Sequence, residues 1–167
     1  MPVVRNGVFA TWRSKSDDIA LVQMDAAVPF TTNVRPIGLP SRSQALDSYA
    51  DVILESSGFG GMANGQLATF LQFNYLIGIS EQECRSIYGA EIKSSVICTR
   101  GYPDINQNTC GATSGGGLTT LDSTPVVIGI TSFSADAECT EGLPQGFVRV
   151  GPHLGWIGRV TGIPIRH

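Results

Sequence analysis

A chain of 167 residues is long enough for one self-sufficient domain, which at this size buries roughly 68–70% of the surface its unfolded form exposes. Its composition, 42% hydrophobic and 15% charged with 20 Gly and 9 Pro, suits a turn-rich all-β fold better than a helical bundle or a disordered chain. A net charge of −3 with scattered Arg and Lys gives nucleic acid no support as a partner, and no apolar run reaches the ~18–20 residues of a membrane helix.

In chain order, residues 1–16 hold no apolar core of roughly 7–15 residues such as a secretory signal requires. Residues 19–24, I-A-L-V-Q-M, read as an apolar strand, and 28–40 as an extended connector punctuated by Pro. Residues 51–55 make the next strand, ended by Gly58-Phe59-Gly60-Gly61, and 67–79 alternate well enough for a long one. Ser80-Glu81-Gln82-Glu83 has the capping-box form, which predicts a short helix running toward Tyr88. Further strands are expected at 96–98, 125–133 and 146–150. Pro152 and Gly162 bracket a terminal helix that should turn Leu154, Trp156 and Ile157 inward. Short strands at this spacing predict a sandwich or barrel.

The four cysteines, Cys84, Cys98, Cys110 and Cys139, are spaced by 14, 12 and 29 residues and form no C-x-x-C pair, while His153 and His167 are not arranged as ligands. Zinc is therefore disfavoured and disulfides are expected, with three connectivities open.

Residues 110–118, C-G-A-T-S-G-G-G-L, place one hydroxyl among residues small enough for the backbone to approach another molecule closely. Attack by a serine on a carbonyl needs a base, an acid to orient it, and donors for the oxyanion. Ser114 is the candidate nucleophile. Its own amide and that of Ala112 are candidate oxyanion donors. Asp18, just before an apolar strand, is the candidate acid.

Taken together these stretches resemble the trypsin/chymotrypsin family of secreted serine endopeptidases, most closely its arthropod chymotrypsin-like and collagenolytic (brachyurin-like) branch. The stations run in the family's order: D-I-A-L at 18–21, V-R-P-I-G-L-P at 34–40, S-G-F-G at 57–60 and S-E-Q-E-C-R-S-I-Y-G at 80–89. They continue with C-G-A-T-S-G-G-G-L at 110–118, I-G-I-T-S-F at 128–133 and P-Q-G-F-V-R-V-G-P-H-L-G-W-I at 144–157. The resemblance implies an all-β, chymotrypsin-like antiparallel Greek-key barrel with a C-terminal helix over 49–167. Residues 1–48 are then a remnant of a first barrel plus the inter-barrel connector. It also implies the pairs Cys84–Cys98 and Cys110–Cys139, an extracellular setting, a peptide or protein as substrate or partner, and neither cofactor nor metal.

Residue by residue, the resemblance puts Ser114 at the nucleophile position and Asp18 at that of the acid. Asn108 falls at the base of the specificity pocket, where a neutral amide argues against a demand for Arg or Lys. Ser132-Phe133-Ser134 falls on the segment that pairs with substrate backbone, with Ser134 where the family usually has Gly. The departures are Ala112 for Gly, Thr113 for the Asp that pairs with the cleaved amino terminus, and Gly117 for Pro. No A-A-H-C motif is present, and neither His153 nor His167 aligns with the catalytic base. Two expectations follow: a truncated or divergent protease with negligible activity of its own, or a non-catalytic homologue that binds a partner.

Overall fold

The computed structural model describes residues 8–11, 17–59, 66, 68–104, 114–134 and 142–167, with backbone alone at 8–11 and 134. Among these residues eight strands and two α-helices follow one another: β1 (Val8–Thr11), β2 (Ile19–Val22), β3 (Ile53–Gly58), β4 (Gln72–Ile79), α1 (Glu81–Tyr88), β5 (Val96–Gly101), β6 (Gly117–Thr120), β7 (Val127–Ser134), β8 (Gln145–Arg149) and α2 (Leu154–Thr161). Six strands close an antiparallel barrel in the order β3-β4-β5-β8-β7-β6, whereas β1 and β2 form a separate two-stranded sheet.

Alternation along the strands fills the barrel. Leu54 and Ser56 of β3 point inward and are buried, while Ile53 is exposed. Leu54 lies opposite Leu76 on one side and Thr120 on the other, which joins the first barrel strand to β6 and leaves no free edge. Leu54, Leu76, Ile97, Leu118, Val126, Ile128 and Phe147 make the core, and burying each large side chain contributes about 1.5–3 kcal/mol. Gly78 is needed for a packing reason: a Cβ there would stand 1.8 Å from the Tyr49 carbonyl oxygen.

A satellite cluster outside the barrel joins Cys84, Ile92, Val96 and Cys98, and the Cys84–Cys98 disulfide ties α1 to β5. Ser80 caps α1 by accepting from the Glu83 amide at 3.1 Å. Only half of the expected capping box forms this way, since the Glu83 carboxylate pairs with Arg100 at 2.7 Å. The terminal helix begins with a 3₁₀ turn at Gly151–His153 and ends on Gly162, whose φ of 75° is left-handed as a helix stop requires. Leu154 and Ile157 are buried, and Trp156 is partly so.

The segment before the barrel is fastened at a few points. Ile19 is buried, and Leu21 and Leu39 pack against the Val150, Leu154 and Ile157 cluster. The Val127 amide donates to the Gly38 carbonyl at 3.0 Å, and the Arg42 amide donates to the Arg166 carbonyl at 2.9 Å. Arg166 Nη2 in turn donates to the Leu39 carbonyl at 2.8 Å. Most elements fall where the sequence puts them. Strand β4 begins at Gln72, five residues later than expected. Strands β1 and β6 were not expected at all. Among the described residues no helix is long and apolar enough to cross a membrane.

Candidate functional site

Ser114 stands exposed on the turn that leads into β6. The turn is possible because Gly115 takes φ 86°, a left-handed value that costs glycine nothing. It is then fixed to β7 by a pair of backbone bonds: the Gly115 amide donates to the Thr131 carbonyl at 3.0 Å, and the Thr131 amide donates to the Gly116 carbonyl at 2.8 Å. One residue further along β7, Ser132 Oγ donates to Asp18 Oδ2 at 2.7 Å. Thus the candidate nucleophile and the candidate acid hang on adjacent residues of one strand.

Asp18 is exposed and sits just before β2, and Ser132 is half-buried. A hydroxyl donating to a carboxylate makes a short, charge-assisted bond that fixes the acid's orientation. The carboxylate's second oxygen takes no protein donor among the described residues. This leaves it available to a group arriving from solvent.

The flanking residues divide. Phe133 turns its ring onto Tyr88, edge to face with centroids 5.4 Å apart, and across Gly146, where any Cβ would strike that ring at 2.2 Å. Its side chain therefore serves packing. Ser134 closes β7 opposite Gln145. Asn108, Ala112, Thr113, Cys110 and Cys139 lie outside the described residues.

Among the described residues neither histidine hydrogen-bonds to Ser114 or Asp18. His153 stands at the N-cap of α2 with its side chain mostly buried and its ring 6.5 Å from that of Trp156. Its Nε2 lies 3.9 Å from Asp17 Oδ1 and has no hydrogen-bond partner. It faces the neighbour of Asp18 rather than Asp18 itself. His167 is exposed near the tail that crosses the connector. The sequence named Ser132 as a substrate-backbone residue and gave no sign that it also holds Asp18, because the two are 114 residues apart.

A closed six-stranded antiparallel barrel with a terminal helix, carrying a serine turn beside a tethered carboxylate, defines the chymotrypsin-like fold. The trypsin family profile matches residues 4–157. Serine protease 1 of Drosophila melanogaster is 35% identical over 148 residues, covering 88% of this chain and 54% of the relative. Brachyurin of Leptuca pugilator is 31% identical over 151 residues, covering 89% of this chain and 62% of the relative. The solved structure of HL collagenase superposes with a TM-score of 0.78 at 31% identity, covering 89% of this chain and 63% of that one. The chain belongs to the trypsin family. It spans little more than half the length of the Drosophila relative.

Proposed function

We propose that these residues carry the nucleophile and acid of a trypsin-type, extracellular serine endopeptidase site, with Ser114 as nucleophile, Asp18 as the orienting acid and the amides of Ala112 and Ser114 as oxyanion donors. Residues 1–48 are read as the remnant of a first barrel with its connector, and 49–167 as the second barrel. The observation that carries the reading is the Ser132–Asp18 hydrogen bond at 2.7 Å, one residue from the backbone pair that holds the Ser114 turn. In this chemistry a base must come within about 2.6–3.2 Å of the serine hydroxyl. It takes the proton as Oγ attacks the peptide carbonyl, and the carboxylate stabilises the protonated base.

Among the described residues no imidazole hydrogen-bonds to Ser114 or Asp18, and His153 faces Asp17 and Trp156 instead. Without the base, the members of such a triad lose about 10⁶ in kcat. The 167 residues alone are therefore expected to hydrolyse peptide bonds negligibly. A serine-directed fluorophosphonate probe tests this: the expected result is no labelling of Ser114 over hours, and rapid stoichiometric labelling overturns it.

A second reading, a non-catalytic homologue that binds a peptide or protein, is favoured by Ala112 and Thr113. Both stand beside Ser114, where the resemblance implies Gly and Asp. Under it, peptides bind with the same affinity to the Ser114→Ala variant as to the unaltered chain. A loss of binding with the hydroxyl sinks it.

A further inference from the structure

Strand β8 reads Q-G-F-V-R, and its charged residue is not at the surface. Arg149 is only 9% exposed. Its Nε donates to the Ser94 carbonyl and its Nη1 to the Asp47 carbonyl, both at 2.8 Å. The Tyr49 ring lies 5.7 Å from the guanidinium carbon. Two of its five N–H groups are thereby used, and the others find no protein acceptor among the described residues.

No described carboxylate lies within 4.0 Å of this cation. A buried charge without a counter-ion in contact is costly, and the carbonyl dipoles, the aromatic face and the more distant carboxylates of Glu81 and Asp47 offset only part of that cost. Burial accordingly pushes the Arg149 guanidinium below its usual range.

The guanidinium lines a pocket of about 140 Å³, around ten times the roughly 10–15 Å³ that a single water needs. Ile79, Ile92 and Val96 give it an apolar wall, Ser94 lines it as well, and so do the exposed Leu46 and Ser48. Glu81 lines it too, with its carboxylate paired to Arg85 at 2.9 Å. A site with a cation that keeps unused N–H groups, a partly apolar wall and a nearby acid favours a ligand of a single negative charge with a short apolar tail. A planar carboxylate matches the guanidinium fork. A dianion would meet Glu81 with twice the repulsion.

We propose that this pocket binds a small aliphatic carboxylate, its oxygens on Arg149 and its tail among Ile79, Ile92 and Val96. The site is independent of Ser114 and Asp18.

Isovalerate titrated into the 167-residue protein at pH 7, followed by calorimetry and amide chemical shifts, tests it. Saturable binding that perturbs Ser94 and Ile92 is expected, with isovaleramide, of the same shape but uncharged, at least tenfold weaker. Leu46→Trp or Ser48→Trp, each at an exposed position that fills the opening without touching the bonds of Arg149, should weaken isovalerate at least tenfold with unchanged circular dichroism. Absence of saturation, equal affinity for the amide, or full binding by both tryptophan variants overturns the proposal. Arg149 would then be only a tether between the Asp47 and Ser94 carbonyls. The acid-to-amide ratio is measured on the unaltered chain, so it decides the matter even if a variant fails to fold.

Discussion

The barrel buries apolar residues on the inner face of each strand, whereas the segment that precedes it leaves most of its own exposed. In the barrel, Leu54, Leu76 and Phe147 are wholly buried, and each strand is paired on both sides. In residues 22–37, Val22 is 71% exposed and Phe30 69%, and Met24, Val34 and Ile37 also face solvent. The two stretches have similar side chains, so composition does not separate them. Strand pairing does: ring closure gives every barrel strand an inside, whereas β2, among the described residues, pairs with the short β1 and meets the rest through Ile19 and Leu21, with Asp17 near His153 and Asp18 bonded to Ser132 just before it. Stability in this chain is thus concentrated after residue 53.

Breaking the barrel should have the largest effect. Phe147→Ala empties the centre of the core and is expected to cost about 3–5 kcal/mol, a fall in Tm of about 6–20 °C for a chain of this size, measured by thermal circular dichroism. A loss below 1 kcal/mol would mean that the core collapses around the gap and is not closely packed. Next comes the staple between α1 and β5. Replacing Cys84 and Cys98 together by Ala removes a link between residues 14 apart and should cost about 2–4 kcal/mol, read from urea midpoints.

Smaller effects test the preceding segment. Ser132→Ala removes the donor to an exposed carboxylate and should lower global stability by no more than about 1 kcal/mol. Hydrogen exchange should nevertheless accelerate at the amides of β2 while those of β4 and β5 stay protected. Uniform acceleration would make the segment part of the barrel's cooperative unit. Last, Val22→Ser and Phe30→Ser should each change stability by no more than about 0.5 kcal/mol. A loss above 1 kcal/mol in either would mean that these side chains are covered in solution, and the contrast drawn above would fail.

Much of this architecture is legible in the sequence, for local reasons. The helix at 81–88 follows from Ser80, whose hydroxyl has an amide to cap wherever the helix packs. The stop at Gly162 follows from the one residue type that adopts φ 75° freely. Strand β6 is not legible, because Gly117-Leu118-Thr119-Thr120 is four residues long and follows a glycine run. Only pairing to β3 and β7 makes it a strand. The same limit applies at the candidate site. Ser114 and Asp18 can be chosen by residue type and by the order of the stations around them, but the Ser132 bond that orients Asp18 depends on a register no local pattern encodes. Arg149 did leave a signal, a charge inside the apolar run F-V-R-V. That pattern alone does not distinguish a residue reaching out to solvent from one buried beside a pocket.

The bonds between residue 166 and residues 39 and 42 have a consequence for how the chain could be rewired. The stretch that makes the barrel leaves from Arg42 and, after all six strands and both helices, comes back to within hydrogen-bonding distance of where it set out. Its two ends are therefore neighbours, the arrangement that circular permutation requires. A short linker from the tail to Arg42, with new termini opened at the exposed turn 122–124 between β6 and β7, would reorder the sequence while leaving every barrel pairing intact. The ring formed by the strands is matched by a near-ring in the backbone.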